Sequence, residues 1–263
     1  MRVTPGGSVP AGRGFTLIEM VIVIGIVAIL AALITPLAVN QIAQKRFDAC
    51  REELVLIRQA IVGDPTLIQG GIRSSFGFVG DLGTLPATLT DLTTQGAWSP
   101  WPQDSGYGWF WGWRGPYLSE VDDPWGQPYR YATAGLPTGI AARIWSIGPD
   151  GVTGSADDVT SDIRRDEVWS MVAGNTFDKD YVQATFSGSV NGTEPIALDY
   201  PDGSGVAQAA LSYSAPPVYH LTSAIPIGIR SIRFKASAVL PAVTMLLPVN
   251  NGPVTTLNLV DPH

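Results

Sequence analysis

The residues able to do chemistry in this chain are mostly carboxylates. Asp150, Asp157 and Asp158 sit at the two ends of a glycine-punctuated loop, Gly148-Pro149-Asp150-Gly151-Val152-Thr153-Gly154-Ser155-Ala156-Asp157-Asp158-Val159. Calcium takes about six to eight oxygens from carboxylates and carbonyls on a loop able to fold around it. The acids do not follow the fixed alternation of an EF-hand. The other reading is an acidic surface turn held by Asx hydrogen bonds. Asp122-Asp123 is the nearest approach to a glycosidase pair, but adjacent acids in a Pro-Trp-Gly turn more often hold the turn. His220 and His263 are the two imidazoles, and no H-E-x-x-H, G-x-S-x-G, P-loop or C-x-x-C pattern occurs. The sequence therefore argues against an enzyme.

Cys50 stands alone, so no intrachain disulfide forms, and it reads as a small apolar residue on a helix face. A bound cation would then be a substitute staple, because binding to the folded form alone stabilises it. The aromatic stretch Trp98, Trp101, Tyr107, Trp109, Phe110, Trp111, Trp113 holds five of the eight tryptophans. In a strand, Trp109, Trp111 and Trp113 would share one face, serving either as packing or as a possible ligand surface.

These groups need elements to position them. With 29 Gly, 21 Pro and 15% charged residues in 263, the chain reads as short strands and many turns after an initial helix. A net charge of −7 without any Lys/Arg run argues against a nucleic-acid partner. From Phe15 to Val39 the only charge is Glu19. A helix needs about 20 such residues to cross a bilayer, and Arg2 and Arg13 ahead of it place the N-terminus in the cytoplasm.

Burying Glu19 unpaired costs several kcal/mol. Either it pairs with the amino group of a neighbouring Phe15 and sets subunit register, or it reaches headgroups at the interface. Pro36 should kink or locally melt the helix. From Asn40 to Val62, Ile42, Phe47, Cys50, Leu54, Ile57 and Ile61 share a face, and Gly63-Asp64-Pro65 ends the helix.

The run Gly14-Phe15-Thr16-Leu17-Ile18-Glu19-Met20, set against an apolar span, resembles the prepilin peptidase site of type IV pilins and type II secretion pseudopilins. The resemblance implies cleavage after Gly14, N-methylation of Phe15, and polymerisation through the helix with copies of itself and other pilin-like subunits. Its implied partners are prepilin peptidase, an inner-membrane assembly platform and, before assembly, membrane lipid. Gly115-Pro116-Tyr117-Leu118 and Asp123-Pro124-Trp125-Gly126-Gln127-Pro128-Tyr129-Arg130-Tyr131 resemble segments of the major pseudopilin. The acidic loop resembles its calcium loop. That implies a structural calcium held by Asp150, Asp157 and Asp158, with carbonyls near Ile147 and Val152. Residue by residue, Tyr129 and Tyr131 share a strand face, and Ile140 to Ile147 pairs with that strand as a hairpin.

The expected fold is α+β: a long N-terminal helix, half transmembrane and half amphipathic, packed on an antiparallel β domain and followed by a small β-sandwich-like domain. The expected boundaries are a leader at 1–14, the helix at 15–62 with its membrane span at 15–39, a pseudopilin-like domain with the calcium loop at 63–175, and the C-terminal domain at 176–263. The last of these, weakly similar to transthyretin-like modules, is read as strands at Val182 to Val190, Val218 to Ala224, Ile229 to Ala236, Val243 to Pro248 and Thr255 to Val260. The expected function is a filament subunit of the secretion type, single-pass in a bacterial inner membrane and then in a periplasmic or extracellular filament. A pilin with an adhesin role and, remotely, a membrane-anchored glycan hydrolase are the alternatives.

Overall fold

The computed structural model describes residues 14–119, 122–215 and 217–263, with residues 33–39 and 215 described in backbone alone. Most of the expected leader therefore lies outside the described residues.

A single helix, α1 (Leu17–Val62), follows Thr16 and passes through Pro36 without a break, so the expected local melting there is not seen. It stops at Gly63, whose φ of 75° is left-handed. A Cβ there would lie 2.3 Å from the Ser75 carbonyl oxygen, so only glycine turns the chain at that point. The chain divides into two compact units, one ending at Asp48 and the other Ala49–His263. In the first, the apolar side chains from Phe15 to Leu30 are largely exposed. Among the described residues no helix is long and apolar enough to cross a membrane. The run Phe15 to Val39 includes residues 33–39, whose side chains are among those not described.

The second unit begins with the end of α1, on which Cys50, Leu54, Ile57 and Ile61 are buried; Ile42 belongs to the first unit and is exposed. Short elements follow: β1 (Ile68–Gln69), β2 (Ile72–Arg73), α2 (Gly77–Leu82), a 3₁₀ turn at Leu89–Leu92, β3 (Gln103–Asp104) and β4 (Phe110–Trp111). The antiparallel sheet β5 (Arg130–Ala132), β6 (Ile140–Ser146), β7 (Val159–Arg164) pairs Tyr131 with Ile144, which is the expected hairpin. After α3 (Arg165–Val168) come β8 (Trp169–Phe177), β9 (Ile196–Pro201), β10 (Val206–Ala215), β11 (Val218–Leu221), β12 (Ile225–Pro226), β13 (Gly228–Phe234), β14 (Val243–Val249), β15 (Val254–Thr256) and β16 (Leu259–Val260).

These last nine strands form one sheet in the order β12-β8-β11-β10-β9-β13-β14, with β15 and β16 parallel to β8 and every other pairing antiparallel. One continuous sheet replaces the expected sandwich of two. The expected boundary at 175/176 falls inside β8, and residues 49–263 stay together. The reason is packing. Ile227, just before β13, is buried in the same core as α1, α2 and β6, while Val172, Leu198, Leu211, Tyr219, Ile232 and Phe234 form a second core within the large sheet. Val182 to Val190 is not a strand. Its backbone makes scattered bonds to Thr176, Ala236 and Lys235, and Phe186 is fixed by stacking on Phe234 at 5.4 Å.

Candidate functional site: the acidic loop, the tryptophan segment and the N-terminal motif

The acidic loop joins β6 to β7. Gly148 adopts φ 65° where the two ends of the loop meet, and a Cβ there would be 2.7 Å from both the carbonyl and a carboxylate oxygen of Asp157. The three acids converge on one hydroxyl: Ser155 Oγ lies 2.5 Å from Asp157 Oδ1, 3.2 Å from Asp158 Oδ1 and 3.4 Å from Asp150 Oδ1. A hydroxyl donates one proton, so it satisfies only one of them. Loop N–H groups serve the rest: Val152 donates to Asp150 at 2.8 Å, Gly154 to Asp158 at 2.7 Å and Asp150 to Asp157 at 3.3 Å.

The Ser155 hydroxyl, ahead of the backbone bonds, holds the Asp157 carboxyl below the usual carboxylate range. No lysine or arginine among the described residues pairs with these acids. An all-oxygen, anionic, uncompensated donor set fits a hard divalent cation. Among the described residues no group of three or more His, Cys, Asp or Glu side chains is arranged to hold a metal by itself, so carbonyls must complete any such site.

A relay fixes the loop from behind. Asp123 Oδ1 accepts the N–H groups of Trp125 at 3.0 Å and Gln127 at 2.8 Å, closing the Asp-Pro-Trp-Gly turn. Its Oδ2 accepts Ser146 Oγ at 2.5 Å, and that hydroxyl accepts the Gly148 N–H at 3.0 Å. Asp123 is buried and committed to the turn, whereas Asp122 is exposed.

The burial of the tryptophans favours packing, the first of the two readings. Trp109 and Trp111 are only 5% and 7% exposed and belong to the first core, with Trp113 packed against it. Trp109 and Trp111 are placed as packing residues, and Trp113 is half-buried. Trp109 Nε1 donates to Ser231 Oγ at 3.0 Å, and Ser231 Oγ donates to Asp199 at 3.2 Å. Asp199 also receives two bonds from Arg233, whose guanidinium lies 4.2 Å from the Tyr107 ring centre. The aromatic segment is thus the seam between the first core and the large sheet. Arg230 completes that seam. It is fully buried and donates to the carbonyls of Pro226 at 3.1 Å, Gly80 at 3.0 Å, Ile229 at 3.0 Å, and Ile227.

At the N-terminus Gly14 and Phe15 are exposed ahead of α1. The Thr16 N–H and Oγ1 donate to Glu19 Oε2 at 3.0 and 2.8 Å, and the Glu19 N–H donates to Thr16 Oγ1 at 3.3 Å. This is a capping box. The Thr-x-x-Glu spacing carried that signal in the sequence.

Two family descriptions match the chain: "Type II secretion system (T2SS), protein G" over residues 86–166, and "Prokaryotic N-terminal methylation motif" over residues 11–35. The type II secretion system core protein G of Klebsiella pneumoniae is 30% identical over 154 residues, which is 56% of this chain and 91% of that protein. Its counterpart in Pseudomonas aeruginosa is 30% identical over 145 residues, 55% of this chain and 88% of that protein. That of Klebsiella michiganensis is 31% identical over 156 residues, 56% and 90%. No solved structure gives a significant match. The protein G match ends before β8, so the large sheet lies beyond it.

Proposed function

This chain belongs to the type II secretion system core protein G family, the pseudopilins, and we propose that it is cut after Gly14, N-methylated on Phe15 and polymerised through α1 into a secretion pseudopilus. The observation that carries this reading is the apolar helix surface from Phe15 to Leu30, exposed on all sides with one charge among its described side chains. Such a surface needs lipid or other helices around it. In the proposed sequence of events it inserts as a single pass in the inner membrane with Arg2 and Arg13 on the cytoplasmic side, then passes into the filament. Prepilin peptidase, the assembly platform and other pilin-like subunits are its partners. Calcium, held by Asp150, Asp157 and Asp158 with carbonyls near Ile147 and Val152, is proposed as a structural ion of the acidic loop.

Glu19 is assigned to pair with the amino group of Phe15 on the adjoining subunit, leaving its own helix cap to do so. Glu19→Ala is expected to abolish filaments while leaving the melting of the Ala49–His263 unit unchanged. Thr16→Ala removes the cap, at a cost of about 1 kcal/mol to the helix, and keeps the carboxylate, so it should still assemble. Electron microscopy of cells overexpressing each variant separates charge from capping. Normal filaments from Glu19→Ala would show that the carboxylate only meets the membrane interface.

A further inference from the structure

The alternation that buries Trp109 and Trp111 turns Phe110 outward, where it is 52% exposed. Its ring meets Trp101 edge-on, with centroids 6.1 Å apart and planes at 65°. The two rings form one wall of an open cleft of about 310 Å³, whose other walls include Asp81, Arg114, Tyr117 and Ile229. That volume is within the range of small-ligand sites. None of these residues has a part in the acidic loop or in the N-terminal motif; the Ile229 carbonyl, which accepts Arg230, and Asp81, whose charge acts on Arg230, tie the back of the cleft to the seam.

The polar groups decide what fits. Tyr117 donates its hydroxyl to Asp81 Oδ2 at 2.9 Å and accepts the Arg114 N–H at 3.1 Å. Among the described residues Asp81 Oδ1 has no hydrogen bond; the Arg114 guanidinium lies 3.8 Å away, and the charge of buried Arg230 also acts on this carboxyl. Arg114 itself is largely exposed and lies 4.8 Å from the Trp101 ring centre. A cationic ligand would find the carboxylate and the ring already served by Arg114, and an anionic one would meet Asp81. A neutral molecule bearing hydroxyls beside an apolar face uses everything present. Its hydroxyls donate to Asp81 Oδ1 and accept from Arg114, while its C–H face lies against Phe110 and the edge of Trp101.

We propose that this cleft is a binding site for a neutral carbohydrate, with one sugar ring against Phe110 and Trp101 and its hydroxyls shared between Asp81 and Arg114. Burial, opposed by Tyr117 and Arg114, pushes the Asp81 carboxyl up to about 6, so near neutral pH it remains mainly an acceptor. The proposal does not depend on filament assembly.

The test uses the full chain in a sugar-free zwitterionic detergent, titrated with cellohexaose, maltohexaose, laminarihexaose and chitohexaose and followed by tryptophan fluorescence and calorimetry. At least one of these is expected to bind in the millimolar range or tighter. Phe110→Ala should weaken that binding roughly tenfold, about the worth of one aromatic contact, and Asp81→Asn should weaken it comparably. Phe110 points outward, so its alanine variant should melt with the wild type, and the melting curve checks this. No binding by any of the four, or binding that Phe110→Ala leaves unchanged, overturns the proposal. So does capture of a lysine-rich peptide in place of the glycans, which would make this a cation site.

Discussion

Arg230→Ala should lower the stability of the globular unit by about 4 kcal/mol. Four backbone carbonyls, from Gly80, Pro226, Ile227 and Ile229, lose their donor at once, and each unpaired buried group costs about 1–3 kcal/mol. A cavity also opens beside Trp109, whose ring centre is 6.0 Å from the guanidinium. Against this stands the relief of an unfavourable burial, which, opposed by the charge of Asp81, pulls the guanidinium down to about 9. The lost bonds outweigh that relief because they are several and point in different directions. At roughly 2–4 °C per kcal/mol for a unit of this size, the melting temperature should fall by about 8–16 °C. Arg230→Lys keeps the charge but cannot reach four carbonyls, and should fall between alanine and wild type. Denaturant titration of the three proteins measures this, and a loss below about 1 kcal/mol for alanine would mean the seam is held elsewhere.

Adding calcium should raise the melting temperature, and a chelator should reverse the rise. At a hundredfold excess over the dissociation constant, binding to the folded form alone contributes about 2.7 kcal/mol, equivalent to roughly 5–11 °C. Asp157→Asn and Asp158→Asn should each remove most of that shift, because both carboxylates line one small loop and, among the described residues, no lysine or arginine pairs with them. The folded-state Asp157 carboxyl lies below its ordinary value. Its contribution is therefore complete above the unfolded carboxylate value, near 4, and is lost as the pH falls through the lower folded value. The calcium shift should hold at neutral pH and fade in acid. A melting curve indifferent to both calcium and chelator would remove the ion from the account and leave the loop as an Asx-bonded turn.

Much of the fold was legible wherever a local rule had one solution. Cys50, Leu54, Ile57 and Ile61 recur at helical spacing and are buried together. Gly63 ends α1, and the Asp-Pro-Trp-Gly turn leads into the β5–β6 hairpin. The three acids singled out in the sequence converge on the hydroxyl of Ser155, which was not singled out. What stayed hidden depended on distant partners. Along β8 the inward residues are Ser170, Val172, Gly174 and Thr176, so the strand carries no apolar alternation. β10 is similarly built from small and polar residues.

The tryptophan segment alternated as expected, but which parity faced inward depended on Ser231 and Arg230, more than a hundred residues away. Arg230 was not singled out in the sequence, because its role depends on carbonyls from distant segments. The same contacts explain why a cut at the expected 175/176 boundary would not yield two intact pieces. Removing β13 strips Gly80 and Trp109 of their partners, so such a truncation reports on folding before it reports on function.

The most direct test of the pseudopilin assignment is the mass of the N-terminal peptide after the full chain is produced together with prepilin peptidase. The account predicts a peptide beginning at Phe15 and heavier by one methyl group on its amino nitrogen. A chain that keeps residues 1–14, or is cut after the apolar run instead of before it, would contradict the account at its centre.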